Sequence, residues 1–419
     1  MTAMPCAGPA SSAGVVEPSR ERGLCGVILG LSMLVMIAHL AMTWRNGPSS
    51  SDFFVFWSTA RILAGSLLET VADLYDPQAL TALQQHYRWH TGEFHPFVYP
   101  PTMLPVIRPL AMFDYPSAEF LWLAVSLGIL GWAVEGHRKP VRLLVIAAAP
   151  ASLVNIAFGQ TGFWTAALLA GGLLRLDRAP VCAGILIGLA TIKPQLGLMI
   201  PLVLILARAW TVLVAATLTT GMMVALSALF HGFDLWLSWL AAVKMFSGQM
   251  TVNLDHLLPW LGSLAATLMS WGLSPPVAQL GQLALILALA AMLAGIARRA
   301  DRPALIAAGL AATFAATPFC YAYDSVLLVP AVMLAAERML LRSPSGPHLR
   351  LTLVAVWFAP FLSIGLMPHG LPVLPLAATA LVGCLRAEER SRAGGQPATE
   401  GRTLPVTVSR LSPAARTGP

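Results

Sequence analysis

Apolar residues fall along this chain in long blocks separated by short polar or basic links, from Leu24 to about residue 386. Blocks of about 17 to 25 apolar residues match the thickness of a bilayer's hydrocarbon core and predict membrane-spanning helices. The first block, Leu24–Trp44, is too long for a signal-peptide core and has no small-residue cleavage site, so it reads as an uncleaved span. The others fall near 116–135, 141–157, 160–176, 180–192, 195–209, 211–230, 276–297, 303–318, 321–341, 350–366 and 371–386. The pair 180–192 and 195–209 is short enough to dip into the bilayer and return. The expectation is an all-α polytopic membrane protein of about 10–13 spans.

Two segments break this rhythm. Residues 45–115 are mixed in polarity, and within them Phe53–Leu68 and Pro77–Trp89 read as amphipathic helices lying on the membrane interface. Asp76 is the expected N-cap of the second, with Pro77 in its first turn. Tyr99-Pro100-Pro101 interrupts any helix, because each proline pushes its predecessor out of helical geometry. Pro101–Phe113 is therefore read as re-entrant or interfacial. A second outer loop is expected at 231–275. The ends are polar: 1–23 reads as a cytoplasmic tail, 24–386 as the membrane domain, and 387–419 as a disordered cytoplasmic tail.

Composition agrees. Of 419 residues, 57% are hydrophobic and 11% charged, with mean hydropathy +0.72. Soluble domains carry roughly 25% charged residues, so a soluble enzyme, a disulfide scaffold, a disordered chain and a nucleic-acid binder are all excluded. The net charge of +7 reflects topology. With the blocks threaded alternately, 20 of the 26 Lys and Arg residues lie on one side, which places both termini in the cytoplasm. The five cysteines are scattered without ligand spacing, and no metal site is expected.

Candidate chemistry collects on the outer side. Asp52 heads the first amphipathic helix in Ser-Asp-Phe-Phe-Val-Phe-Trp. It is either that helix's N-cap or a carboxylate made basic by lost solvation, and the two roles can coexist. Asp73 and Asp76 read as local caps. His86 and His90 have metal-ligand spacing on one helix face, but no third ligand is identifiable. Gly159-Gln160 links two apolar blocks, and Lys193-Pro194-Gln195 links two more. An ammonium at such depth needs an anionic partner, such as a lipid phosphate, unless it snorkels to the interface. Asp324 opens an apolar helix at the same face, as functional acid or helix-start residue. Asp255-His256 lies in the second outer loop. Short basic cytoplasmic loops without a phosphate cradle argue against a cytosolic nucleotide substrate.

These motifs in this order resemble the family 87 glycosyltransferases, membrane enzymes of the GT-C type. The resemblance rests on Asp52-Phe-Phe-Val-Phe-Trp, Leu74-Tyr75-Asp76, Tyr99-Pro100-Pro101 with Pro109-Leu110, Gly159-Gln160, Lys193-Pro194-Gln195 and Pro318…Tyr323-Asp324. It runs from about residue 24 to 341. At two places the chain departs from common family usage: Thr161 follows the Gly-Gln pair where relatives often have Asn, and a basic stretch is thinned to Arg208-Ala-Trp210.

The resemblance implies transfer of a hexose, such as mannose, from a polyprenyl-phosphate donor to a lipid-linked or glycan acceptor, with inversion, at the outer face of a cell membrane (a bacterial inner membrane). It implies Asp52 as general base. Lys193, Gln160, Tyr99, Asp324, Arg61 and His256 are the candidate substrate-binding residues, and no cofactor is expected. The rival from another class is a polytopic transporter or lipid flippase, which places polar groups near the midplane. A scaffold without chemistry is the third. Polar groups gathered at one face, without an inverted repeat, favour the enzyme.

Overall fold

The computed structural model describes residues 52–65, 70–87, 95–135, 140–299, 301–341 and 347–394, with isolated helical positions between 30 and 45. The first span, Leu24–Trp44, therefore lies mostly outside the described residues, as do the tail 1–23, residues 395–419, His90 and Glu93.

The described residues are helical, with no strand among them. The longer elements are α1 (Phe54–Ala64), α2 (Pro77–Gln85), α3 (Tyr115–Glu135), α4 (Pro140–Ala147), α5 (Pro150–Phe158), α6 (Gly162–Leu173), α7 (Pro180–Leu189), α8 (Ile200–Leu206), α9 (Trp210–His231), α10 (Asp234–Val252), α11 (Leu264–Ser270), α12 (Pro275–Ala297), α13 (Arg302–Ala316), α14 (Leu328–Leu341), α15 (Pro347–Leu366) and α16 (Val373–Gly394).

Four helices are long and apolar enough to cross a membrane: Tyr115–Val134, Trp210–His231, Pro275–Ala297 and His348–His369. They turn apolar side chains outward, as α9 does with Val214, Leu218, Met222 and Leu226. In water such a surface would aggregate; in a bilayer it is the solvated face. This is a polytopic all-α membrane protein. Several other expected spans are shorter helices. One of them, 141–157, is two helices, because Pro150 leaves Ala149 extended and the chain kinks there. The Ile146 carbonyl, which loses its α-helical partner because Pro150 has no N–H, accepts from the hydroxyl of Ser152 (2.6 Å) and from the Ala149 amide (3.2 Å).

At the centre stands α13, buried without interruption from Ala304 to Ala316. Its alanines let α12, α14 and α16 approach closely, and Gly309 makes room for Val203 of α8. Small residues also seat α7 on α9. A Cβ on Gly184 would come 2.7 Å from the Val212 carbonyl oxygen, and one on Gly188 2.7 Å from that of Ala216.

The structure corrects four expectations. Helix α1 is not half exposed as its amphipathic pattern suggests: residues Phe53 to Ala60 are buried, packed on Tyr115, Trp122 and Tyr99. Residues 231–275, expected as an irregular connection, contain α10, whose Leu235, Trp239, Ala242 and Phe246 recur at helical spacing. Trp239 donates to the Val98 carbonyl (3.1 Å). The block 321–341 opens with a 3₁₀ turn, Ala322–Leu327, before α14 begins. Residues 387–394, assigned to the tail, continue α16 because Glu388 and Glu389 bind Arg338 of α14.

That ion-pair knot marks one end of the bundle. Buried Arg338 also holds Asp301 (2.9 Å), while Arg142 pairs with Glu337 and Arg302 with Asp177. Asp324 lies at the opposite end of the same α14 segment. Fourteen residues at helical rise separate it from Arg338, about 20 Å.

Candidate active site

Five segments far apart in the chain converge at the end opposite the ion-pair knot. The first ends in Asp52, at the head of α1. Asp52 is not the cap of that helix; Phe53 holds the cap position. Its carboxylate turns instead to Gln160, whose Nε2 donates to Oδ2 at 3.2 Å. The capping alternative is thereby replaced by a long-range contact. Asp73 and Asp76 do serve as caps: Asp73 accepts from the Thr70 amide (2.9 Å) and Asp76 from the Ala79 amide (2.8 Å).

Gln160 is placed by the turn between α5 and α6. Gly159 ends α5 in the left-handed region (φ 64°), a conformation that glycine adopts without steric cost. Asn155 then accepts from the Gly162 amide (2.8 Å), closing the turn. Gly162 has to be glycine, because a Cβ there would sit 2.6 Å from the Tyr323 carbonyl oxygen.

Tyr99 comes from the diproline segment. Pro100 keeps it out of helical geometry, and the Tyr75 hydroxyl donates to its carbonyl (2.8 Å). Its own hydroxyl donates to Gln160 Oε1 at 2.8 Å and lies 3.4 Å from Thr161 Oγ1. Segment 101–113 then runs as single turns of 3₁₀ and α helix, too short to cross a bilayer.

Lys193 sits at the junction of α7 and α8. The Thr102 hydroxyl donates to the Thr191 carbonyl (3.2 Å) and the Thr317 hydroxyl to the Gln195 carbonyl (3.0 Å), clamping the junction from both sides. Lys193 does not snorkel; its side chain is 4% exposed. Its Nζ bonds Asp324 Oδ1 at 2.6 Å and lies over the rings of Tyr323 (4.8 Å) and Tyr99 (5.8 Å). The anion that a buried ammonium demands is thus supplied by the protein. Asp324 takes the helix-start role as well as pairing with Lys193, since its Oδ2 accepts from the Tyr321 amide (3.0 Å). Tyr321 and Tyr323 stack at 5.1 Å, and Phe158 and Trp260 extend this aromatic wall.

The electrostatics follow. Burial pushes the Asp52 carboxyl above the ordinary carboxylate range, against the Gln160 hydrogen bond and the Lys193 charge, which pull it down. Burial works against the Lys193 ammonium, but the Asp324 carboxylate and Tyr99 outweigh it and raise its pKa. Lys193 is therefore a fixed cation and Asp52 a carboxylate of enhanced basicity, held within each other's field.

Two expected substrate-binding residues do not join the cluster. Arg61 is exposed on α1, about 13 Å of helix from Asp52. It donates to the Ala111 carbonyl (3.0 Å) and lies over Trp57 and Tyr87, bracing the 101–113 segment. His256 is exposed on the turn Leu254–Leu257, and no contact joins it to the cluster among the described residues. No group of three or more possible metal ligands occurs among the described residues.

The Lys193–Asp324 pair yields a stability prediction. Lys193→Ala leaves a fully buried carboxylate without its counter-charge, and is expected to cost roughly 3 kcal/mol. Adding Asp324→Leu removes the orphaned charge and restores most of that loss. Thermal melts of the detergent-purified single and double variants measure both; a double variant no better than the single contradicts the expectation.

Fold and site together define a polytopic helical membrane protein with a recessed carboxylate and a caged ammonium at one end. Residues 97–320 match glycosyltransferase family 87. The chain belongs to that family and is a glycosyltransferase. The match covers Tyr99, Gln160 and Lys193, while Asp52 and Asp324 lie outside it. No curated protein and no solved structure matches the chain at a significant level.

Proposed function

We propose that the protein transfers a hexose, mannose in our reading, from a polyprenyl-phosphate carrier to a lipid-linked or glycan acceptor, with Asp52 as general base. The observation that carries this is the pairing of a half-buried carboxylate of raised basicity with a buried ammonium, in a chain of glycosyltransferase family 87. Asp52 takes the proton of the acceptor hydroxyl as its oxygen attacks the anomeric carbon. The bond from that carbon to the phosphate oxygen breaks on the opposite face, inverting the centre, and polyprenyl phosphate leaves with the electron pair. An ammonium has three N–H donors. Asp324 takes one, and the others serve the phosphate as its charge grows.

Sidedness supports the same picture. The cluster lies at the end of α14 away from Arg338, whose surroundings hold the basic links assigned to the cytoplasm. The reaction then takes place at the outer face of the cell membrane, where lipid-carried sugars rather than cytosolic nucleotide sugars are the available donors.

Membranes containing the protein, given polyprenyl-phosphate mannose labelled in the sugar, are expected to form a labelled glycolipid or glycan absent from control membranes. Label that stays in the donor with mannose, while arabinose or glucose donors are consumed, would change the sugar. Inertness toward every polyprenyl-phosphate sugar would overturn the donor class.

A further inference from the structure

The hydrogen bonds around Asp52 have a direction. An ionised carboxylate only accepts, so the Gln160 amide must present its NH₂ to Asp52 and its oxygen to the other side. On that side the Tyr99 hydroxyl donates to Oε1. Hydroxyl, amide and carboxylate thus form one chain in which each donor points toward Asp52. Both intermediate members are immobilised: Gln160 is 5% exposed on the Gly159 turn, and the Tyr99 ring packs against Phe56 (5.0 Å) with its backbone held by Tyr75. The chain ends on Oδ2. Among the described residues no hydrogen bond reaches Oδ1.

We propose that Tyr99 and Gln160 are positioning residues for Asp52, engaging Oδ2 and reserving Oδ1 as the atom that takes the acceptor's proton. The sequence pointed to both as substrate contacts; the geometry points to this other role, and it rests on Asp52 being the base. The amide sits between the two partners, with one N–H and one lone pair committed to them. Gln160 fixes the carboxylate plane, and the Tyr99 hydroxyl, by donating to Oε1, favours the amide orientation that presents its NH₂ to the carboxylate.

The groups that face Asp52 from the surrounding segments are Tyr99, Lys193 with its partner Asp324, Tyr321 and Tyr323. Lys193 stays charged and the buried tyrosines stay protonated over the range in which a carboxylate titrates. The Gln160 hydrogen bond favours the ionised form of Asp52, so its loss moves the titration midpoint upward.

The test titrates Asp52 itself. The infrared band of its protonated carboxyl, assigned by its absence in Asp52→Asn, is followed against pH in the purified wild type, Gln160→Ala and Tyr99→Phe. The midpoint is expected to rise in both variants, more in Gln160→Ala. In transfer assays Gln160→Ala is expected to lose about 10²-fold in kcat with donor and acceptor KM little changed. Tyr99→Phe, which keeps the ring against Phe56, is expected to lose about 2- to 10-fold. Unmoved midpoints, or kcat intact with a raised KM, overturn the positioning role while a dead Asp52→Asn keeps the base. An active Asp52→Asn overturns the base assignment on which the inference rests.

Discussion

Asp52→Asn is expected to lose about 10²–10⁴-fold in the rate of sugar transfer, the usual contribution of a positioned general base. Asparagine has nearly the shape of aspartate and can still accept the Gln160 hydrogen bond through its oxygen, so the turn geometry stays in place. What it cannot do is hold a proton. The wild-type pH profile carries the same signature. Burial holds the Asp52 pKa above its ordinary value, and the base works only when ionised. Activity therefore falls as pH drops through that raised value, above the ~3.9 of free aspartate. Stability runs the opposite way. A raised folded-state pKa means that Asp52 supports folding most below its unfolded value, and that this support is lost as pH rises through the folded one. At neutral pH the ionised side chain is a burden that asparagine relieves, so the dead variant should melt at the same temperature as wild type or higher. A variant that is both inactive and clearly less stable would point to misfolding instead.

Arg338→Ala is expected to be the most damaging single change to the fold, costing about 5 kcal/mol, the upper end for breaking a buried ion pair. Arg338 is 2% exposed and binds Asp301, Glu388 and Glu389, which come from the N-cap of α13 and the last turns of α16. Without the guanidinium three carboxylates face one another with no cation among them. Lysine is a poor substitute, because one ammonium cannot reproduce the fork that serves three acids from different directions. Melting of purified Arg338→Ala and Arg338→Lys, with proteolysis at the C-terminal end of α16, checks this. A wild-type melt for either variant would show that the knot is incidental.

The long apolar helices were legible because hydropathy alone decides them. The breaks were partly legible: Pro150 within 141–157 signals the kink after Ala149, and averaging hydropathy over the whole run hides it. Helix α10 was missed for a different reason. Lys244 and Gln249 lower its hydropathy, and the stripe Leu235, Trp239, Ala242 and Phe246 shows only when read at helical spacing. Helix α1 looked interfacial because its polar residues are visible in sequence and their partners are not. Ser58, for instance, is buried and donates to the Phe54 carbonyl (2.6 Å).

At the site, Asp52, Tyr99, Gln160, Lys193 and Asp324 each stood out as polar groups beside apolar runs, and the fold gathers all five. That Lys193 and Asp324 neutralise each other could not be read from spacing, since 131 residues separate them. Arg61 and His256 shared the same polarity signal without the location. Thr102, Thr317 and Asn155 went unnoticed although they hold the backbone around the site. Asn155 was the most visible of these, an amide inside an apolar helix, where a polar group needs a reason to be.

The Lys193–Asp324 bond also sets an order on biogenesis. A ribosome adding about 5–20 residues per second reaches Asp324 roughly 7–26 s after Lys193. During that interval the α7–α8 junction has a cation and no anion, and burying an unpaired charge is costly. The Lys193 side chain is therefore expected to stay solvated until α13 and the Asp324 turn arrive beside it. The site is complete only once Asp324 has been made, before α14 to α16 follow, and a chain that ends short of it holds no ion pair at this position.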